Sequence, residues 1–86
     1  MHTTELLDRL KANGVNESEM CRKYGIDRRT ISQARTKQHA SPALATILAT
    51  ELGEHPGKWA IQAAAENERS AGMRRHLEAL ARTLST

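Results

Sequence analysis

The most constraining feature of this sequence is the run Tyr24-Gly25-Ile26-Asp27, in which a helix terminator and a helix initiator stand one residue apart. Glycine enters the left-handed backbone region at little cost and so ends helices, whereas the aspartate carboxylate accepts from the free N–H groups of a first turn and so begins them. Upstream, Asn16 followed three residues later by Glu19 reads as a capping box that opens a short helix through Met20, Cys21 and Tyr24. Downstream, Asp27 caps a helix from Arg28 to about Lys37 whose narrow apolar side is Ile31 and Ala34. A connection this short forbids antiparallel packing, so the two helices must cross steeply.

The rest of the chain is punctuated in the same way. Thr3 or Thr4 caps a first helix carrying Leu6, Leu7 and Leu10, and Asn13-Gly14 stops it. Ser41-Pro42, a cap followed by proline at the first helical position, opens a fourth helix with Leu44, Ile47, Leu48 and Leu52 on one face and Gly53 at its end. His55-Pro56 starts a fifth, with Trp59, Ile61 and the run Ala63-Ala64-Ala65, and Trp59 reads as the anchor that docks it on the core. The polar stretch Glu66 to Gly72 separates it from a last segment in which Met73, Leu77, Leu80 and Leu84 repeat at spacings of 4, 3 and 4. With 13 Ala and 9 Leu against no Phe, one Tyr and one Trp, the composition favours an all-α fold. The 86 residues suffice for one core with an appended helix, and a sheet-based enzyme with a deep apolar pocket does not fit. A lone cysteine cannot form an internal disulfide. Apolar runs fall short of the roughly 18 residues of a membrane span, and the first residues lack the layout of a signal peptide. The expectation is a soluble chain of a reducing cytoplasm, bacterial or phage-infected, without a membrane partner.

Charge is unevenly spread. Arg22, Lys23, Arg28, Arg29, Arg35 and Lys37 face a single acid, Asp27, within one sixteen-residue stretch, while the other seventy residues hold seven bases and nine acids. A local basic surface on an otherwise slightly acidic domain suits a polyanion.

Two short, steeply crossing helices need a small residue at their contact, a glycine in the turn and apolar residues that lock the second helix down. Cys21, Gly25 and the set Ile26, Ile31 and Ala34 supply these. On those residues, Glu17 to Lys37 resembles the helix-turn-helix of the lambda repressor and Cro family, often called the Xre family. The resemblance extends to a preceding helix, Thr4 to Asn13, and a following amphipathic helix ending in a Leu-Gly pair, Ser41 to Gly53. The whole chain looks most like small phage or prophage regulators of filamentous-phage type, whose helical tails are rich in Ala, Glu and Arg. Cys21 and Tyr24 replace the commoner Ala and Leu, and Glu17 and Glu19 put acid where relatives often carry a phosphate-contacting Gln. The resemblance implies a lambda-repressor-like helical DNA-binding domain over 1–55, with the helix-turn-helix at about 17–38, and a helical extension over 56–86.

If the third helix enters the major groove, Arg28, Arg29, Ser32, Gln33 and Thr36 are the candidate base readers. Arginine pairs bidentately with guanine and glutamine with adenine, so G·C pairs are expected in part of each half-site. Ser18, Lys23, Arg35, Lys37, Gln38 and His39 are placed for phosphate. The plainer reading of these bases is a solvated helix face. Asp27 is a cap that could also accept from a cytosine amine. Cys21 reads as an inert packing residue rather than a redox switch. His2, His39, His55 and His76 lack metal-ligand spacing, and no nucleophile–base set, paired carboxylates or glycine-rich phosphate loop presents itself. A non-enzymatic chain with no cofactor, metal or small-molecule ligand is expected.

For the tail two readings compete: the stripe folds back beside Trp59, or it pairs with a second subunit. One helix reads only a few base pairs, which favours a homodimer through the fifth and last helices, with Trp59, Met73, Leu77, Leu80 and Leu84 at the interface. The leading functional expectation is a sequence-specific double-stranded DNA-binding regulator, a repressor acting at a pseudo-palindromic operator. The alternative is an antitoxin-like or phage accessory protein whose tail binds a protein partner while the helix-turn-helix autoregulates.

Overall fold

The computed structural model describes residues 2–84, so the outermost positions of the two expected segments, Met1 and Ser85-Thr86, lie outside the described residues. The described chain is all-α: α1 (Thr4–Ala12), α2 (Glu17–Tyr24), α3 (Arg28–Lys37), α4 (Pro42–Leu52), α5 (Pro56–Asn67) and α6 (Ala71–Thr83). None of these helices is long and apolar enough to cross a membrane.

Most helix ends are written locally. Asn16 Oδ1 accepts from Glu19 N–H, Asp27 Oδ1 from Arg29 N–H and Ser41 Oγ from Leu44 N–H. Gly25 adopts φ 68°, and the N–H groups of Gly25 and Ile26 both reach the Cys21 carbonyl, closing α2 and turning the chain at once. Gly53 ends α4 in the same region, at φ 73°. His55 caps α5 through Nδ1, which accepts from Lys58 N–H at 3.0 Å. The polar stretch before α6 hides one more cap, Ser70, whose hydroxyl accepts from Met73 N–H.

Thr3 departs from expectation. It occupies the N-cap position of α1 but makes no capping bond there, and it is completely buried. Its N–H and hydroxyl both donate to the Glu66 carboxylate, at 2.8 and 2.5 Å, and its oxygen accepts from Ala40 N–H at 2.8 Å. One side chain thereby joins the start of α1, the α3–α4 loop and the end of α5. A buried hydroxyl must find partners, and a carboxylate 63 residues away outcompetes the adjacent turn.

The core gathers Leu6, Leu7 and Leu10 of α1, Met20 and Cys21 of α2, Ile31 and Ala34 of α3, Leu44, Ala45, Leu48 and Ala49 of α4, and Trp59 and Ala63 of α5. On α4 the buried face is rotated from the one expected: Ala45 and Ala49 are inside while Ile47 and Leu52 are only half-buried. α4 packs against both α1 and α5, and alanine lets helix backbones approach more closely than the larger side chains allow. α6 folds back along α5 with Ala81 fully buried. Leu77 and Leu84 are half-buried, whereas Met73 and Leu80 are 62% and 40% exposed, so the apolar stripe is split between the chain's own α5 and solvent.

Candidate nucleic-acid interface

α3 is held from below by two residues. Ile31 and Ala34 are buried, Thr30 is half-buried, and every other residue of the helix is exposed. Arg29, Ser32, Gln33 and Thr36 fall at i, i+3, i+4 and i+7, which places them on one stripe of the helix, opposite Ile31 and Ala34. Arg29 heads this stripe, its guanidinium resting on Asp27 Oδ2 at 3.2 Å with the side chain still 86% exposed. Thr36 donates its hydroxyl to the Ser32 carbonyl, leaving the hydroxyl oxygen outward as an acceptor.

Arg28, grouped with the base readers in the sequence, stands instead on the flank of α3 in line with Arg35, one i, i+7 step away. Arg28 Nη1 donates to Ser18 Oγ at 3.1 Å, and its Nη2 lies 3.9 Å from Glu17 Oε1. Arg35 grips the same Glu17 carboxylate with both terminal nitrogens, at 3.1 and 2.7 Å. This hydrogen-bonded pairing holds the Glu17 carboxyl below the ordinary carboxylate range and raises the Arg35 guanidinium. Lys11, Ser18, Arg28 and Arg35 share the lining of one open cleft with Glu17.

The other expected phosphate contacts are distributed differently. Lys23 is tied to Glu51 of α4 at 2.9 Å, and the Tyr24 hydroxyl donates to the same carboxylate at 2.6 Å. The hydrogen bonds from Tyr24 and then Lys23 hold Glu51 below its usual range, and the Glu51 contact raises both donors. Lys23 therefore tethers α2 to α4 within the chain. Gln38 is the helix cap of α3 at φ 63°, the only non-glycine residue with positive φ among those described. Lys37 and His39 line a cleft of about 170 Å³ with Gln33, Ser41 and Asn67 on the opposite flank of α3, and the buried His39 Nδ1 has no hydrogen-bond partner among the described residues.

One packing residue stands as read from the sequence, and one assignment changes. Cys21 is buried in one core cluster with Ile31 and Ala34 of α3, where desolvation pushes its thiol up. Trp59, expected both as an anchor and as part of a subunit interface, is 3% exposed inside its own chain's core, with Nε1 donating to Glu54, so it offers no surface to a partner. Sequence reasoning missed Lys11, Glu51 and the pairing role of Glu17. Only Glu17 left a trace, as an acid at the start of α2; the partners lie 18 to 28 residues away and no local pattern announces them. Among the described residues no cluster of His, Cys, Asp or Glu is arranged to hold a metal. Comparisons with family models, with curated proteins and with solved structures find no match to this chain.

Proposed function

We propose that this chain is a sequence-specific double-stranded DNA-binding regulator of the lambda repressor/Cro-like (Xre) kind, in which α2 and α3 form the helix-turn-helix and α3 enters the major groove. The observation that carries the reading is the outer stripe of α3. Arg29, Ser32, Gln33 and Thr36 are all hydrogen-bonding side chains, all exposed, and all opposite the two residues that fix the helix. Such a stripe matches the edges of stacked base pairs, with Arg29 suited to guanine O6 and N7 and Gln33 to adenine N6 and N7. Arg28, Arg35 and Lys37 flank it on both sides, where the two phosphate strands bordering the groove would run.

A single helix specifies few base pairs, and Met73 and Leu80 leave an apolar strip on α6 that a second copy would cover. The reading is therefore a homodimeric repressor of phage or prophage type on a two-fold operator, occluding a promoter and controlled by its own concentration. Selection of bound sites from random duplexes should return a symmetric sequence. Against that site Arg29→Ala should cost about 1–3 kcal/mol and relax one base pair, whereas Lys37→Ala should weaken all duplexes alike and flatten the salt slope by about one unit. Recovery of no preferred sequence, or equal losses on specific and random DNA for Arg29→Ala, would overturn the reading.

A further inference from the structure

Resting on the proposed DNA-binding role, one interaction in the interface runs against it. The acid of Glu17 sits among the cations that would face a phosphate strand: Arg35 holds it bidentately at 3.1 and 2.7 Å, and Arg28 approaches to 3.9 Å. The cleft they share is completed by Lys11 at the end of α1 and by the Ser18 hydroxyl, which accepts from Arg28. The Glu17 side chain is 18% exposed while those of Arg28 and Arg35 are 63% and 44% exposed, so the acid lies behind guanidinium groups that still reach solvent.

We propose that Glu17 is a built-in competitor for DNA phosphate: its carboxylate occupies the anion position framed by Lys11, Ser18, Arg28 and Arg35, and a duplex backbone must draw the two arginines away from it. A carboxylate and a phosphate diester present similar oxygen pairs to a guanidinium fork, so the exchange preserves the bidentate geometry. Two guanidinium groups are committed internally before DNA arrives, which lowers the counterion release that drives non-specific binding. Base readout on the outer stripe does not pass through this cleft. Glu17 therefore weakens binding to every duplex alike and raises the share of affinity that depends on sequence.

The test measures binding of the full chain to a short random-sequence duplex across a salt series, for the parent, Glu17→Gln and Glu19→Gln. Glu19→Gln is the fitting control because it removes an exposed acid of the same helix that pairs with no arginine among the described residues. Glu17→Gln should bind about three- to tenfold more tightly near 0.1 M salt and steepen the salt slope by roughly one unit, with a clearly smaller gain for Glu19→Gln. In the Arg35→Ala background the advantage of Glu17→Gln should shrink. Equal gains for both glutamine variants would reduce the effect to net charge and overturn the proposal. Weaker binding by a Glu17→Gln protein that melts like the parent would assign Glu17 to positioning the arginines and overturn it too. Duplex binding by neither folded protein would overturn the DNA-binding reading itself, whereas duplex binding with no gain in Glu17→Gln removes the competitor alone.

Discussion

α3 and α6 both lie on the surface, and they differ in what they leave there. α3 is fixed by Ile31 and Ala34 and exposes a stripe of hydrogen-bonding side chains; α6 is fixed chiefly by Ala81, with Leu77 and Leu84 half-covered, and exposes Met73 and Leu80. A polar stripe is well solvated in water and gains only from a ligand whose acceptors and donors match it. An apolar strip is disfavoured in water and gains from any cover of the right shape. The first property suits selective readout and the second association, and the proposed reading of two half-sites by a dimer would draw on both.

The comparison can be broken at the bridge between the two regions. Trp59→Ala should destabilise the chain by about 3–5 kcal/mol in urea unfolding, with α3 and α6 lost in one transition, because the indole lies in the core that supports both. Two separate transitions would show that the tail is an independent unit. Next in size is acid. Arg35 depresses Glu17, Tyr24 and Lys23 depress Glu51, and Arg9 followed by Trp59 depresses Glu54, so each carboxylate stabilises the fold above its unfolded value and ceases to do so as pH falls through the lower, folded one. The melting temperature should hold near neutral pH and decline from about pH 5 downward, and Glu17→Gln should flatten part of that decline. Stability that is level across this range would mean that the ion pairs around α2 and α3 contribute nothing.

Two left-handed positions sharpen the picture of how α3 is framed. At Gly25 an added Cβ would meet nothing within 4 Å, so Gly25→Ala should cost only backbone strain, about 1–2 kcal/mol in thermal melting. Gln38, at φ 63°, already bears such strain at the other end of α3, and Gln38→Gly should raise stability by up to about 1 kcal/mol. The smallest effect on folding belongs to α6: Leu80→Asp should shift the monomer's unfolding by less than about 0.5 kcal/mol. It should nevertheless convert the sedimenting species from dimer to monomer and weaken operator binding. A parent that sediments as a monomer would remove the subunit interface from the reading.

Much of the framework was legible because it is local. Asn16, Asp27 and Ser41 cap helices through partners two or three residues on, and Gly25 and Gly53 end them through their own φ, so adjacent residues alone set those boundaries. The exposed stripe of α3 was legible for the same reason, since helical periodicity sets Ile31 and Ala34 opposite Arg29 and Gln33 once the helix is placed. Arg28 falls off that stripe because consecutive helical residues point about 100° apart, which its nearness in sequence to Arg29 conceals.

What only the tertiary structure decided are contacts between residues far apart in the chain. Thr3 leaves its cap for Glu66, Lys23 and Tyr24 converge on Glu51, Glu17 holds Arg35, and Ala81 rather than the full leucine stripe is what α6 buries. The sequence by itself determined the helices, their ends and the polar face of α3, because each depends on a few neighbouring dihedrals and hydrogen bonds. Which charges are free to meet a ligand depends on which distant oxygen stands beside them, and that is fixed only when the helices pack.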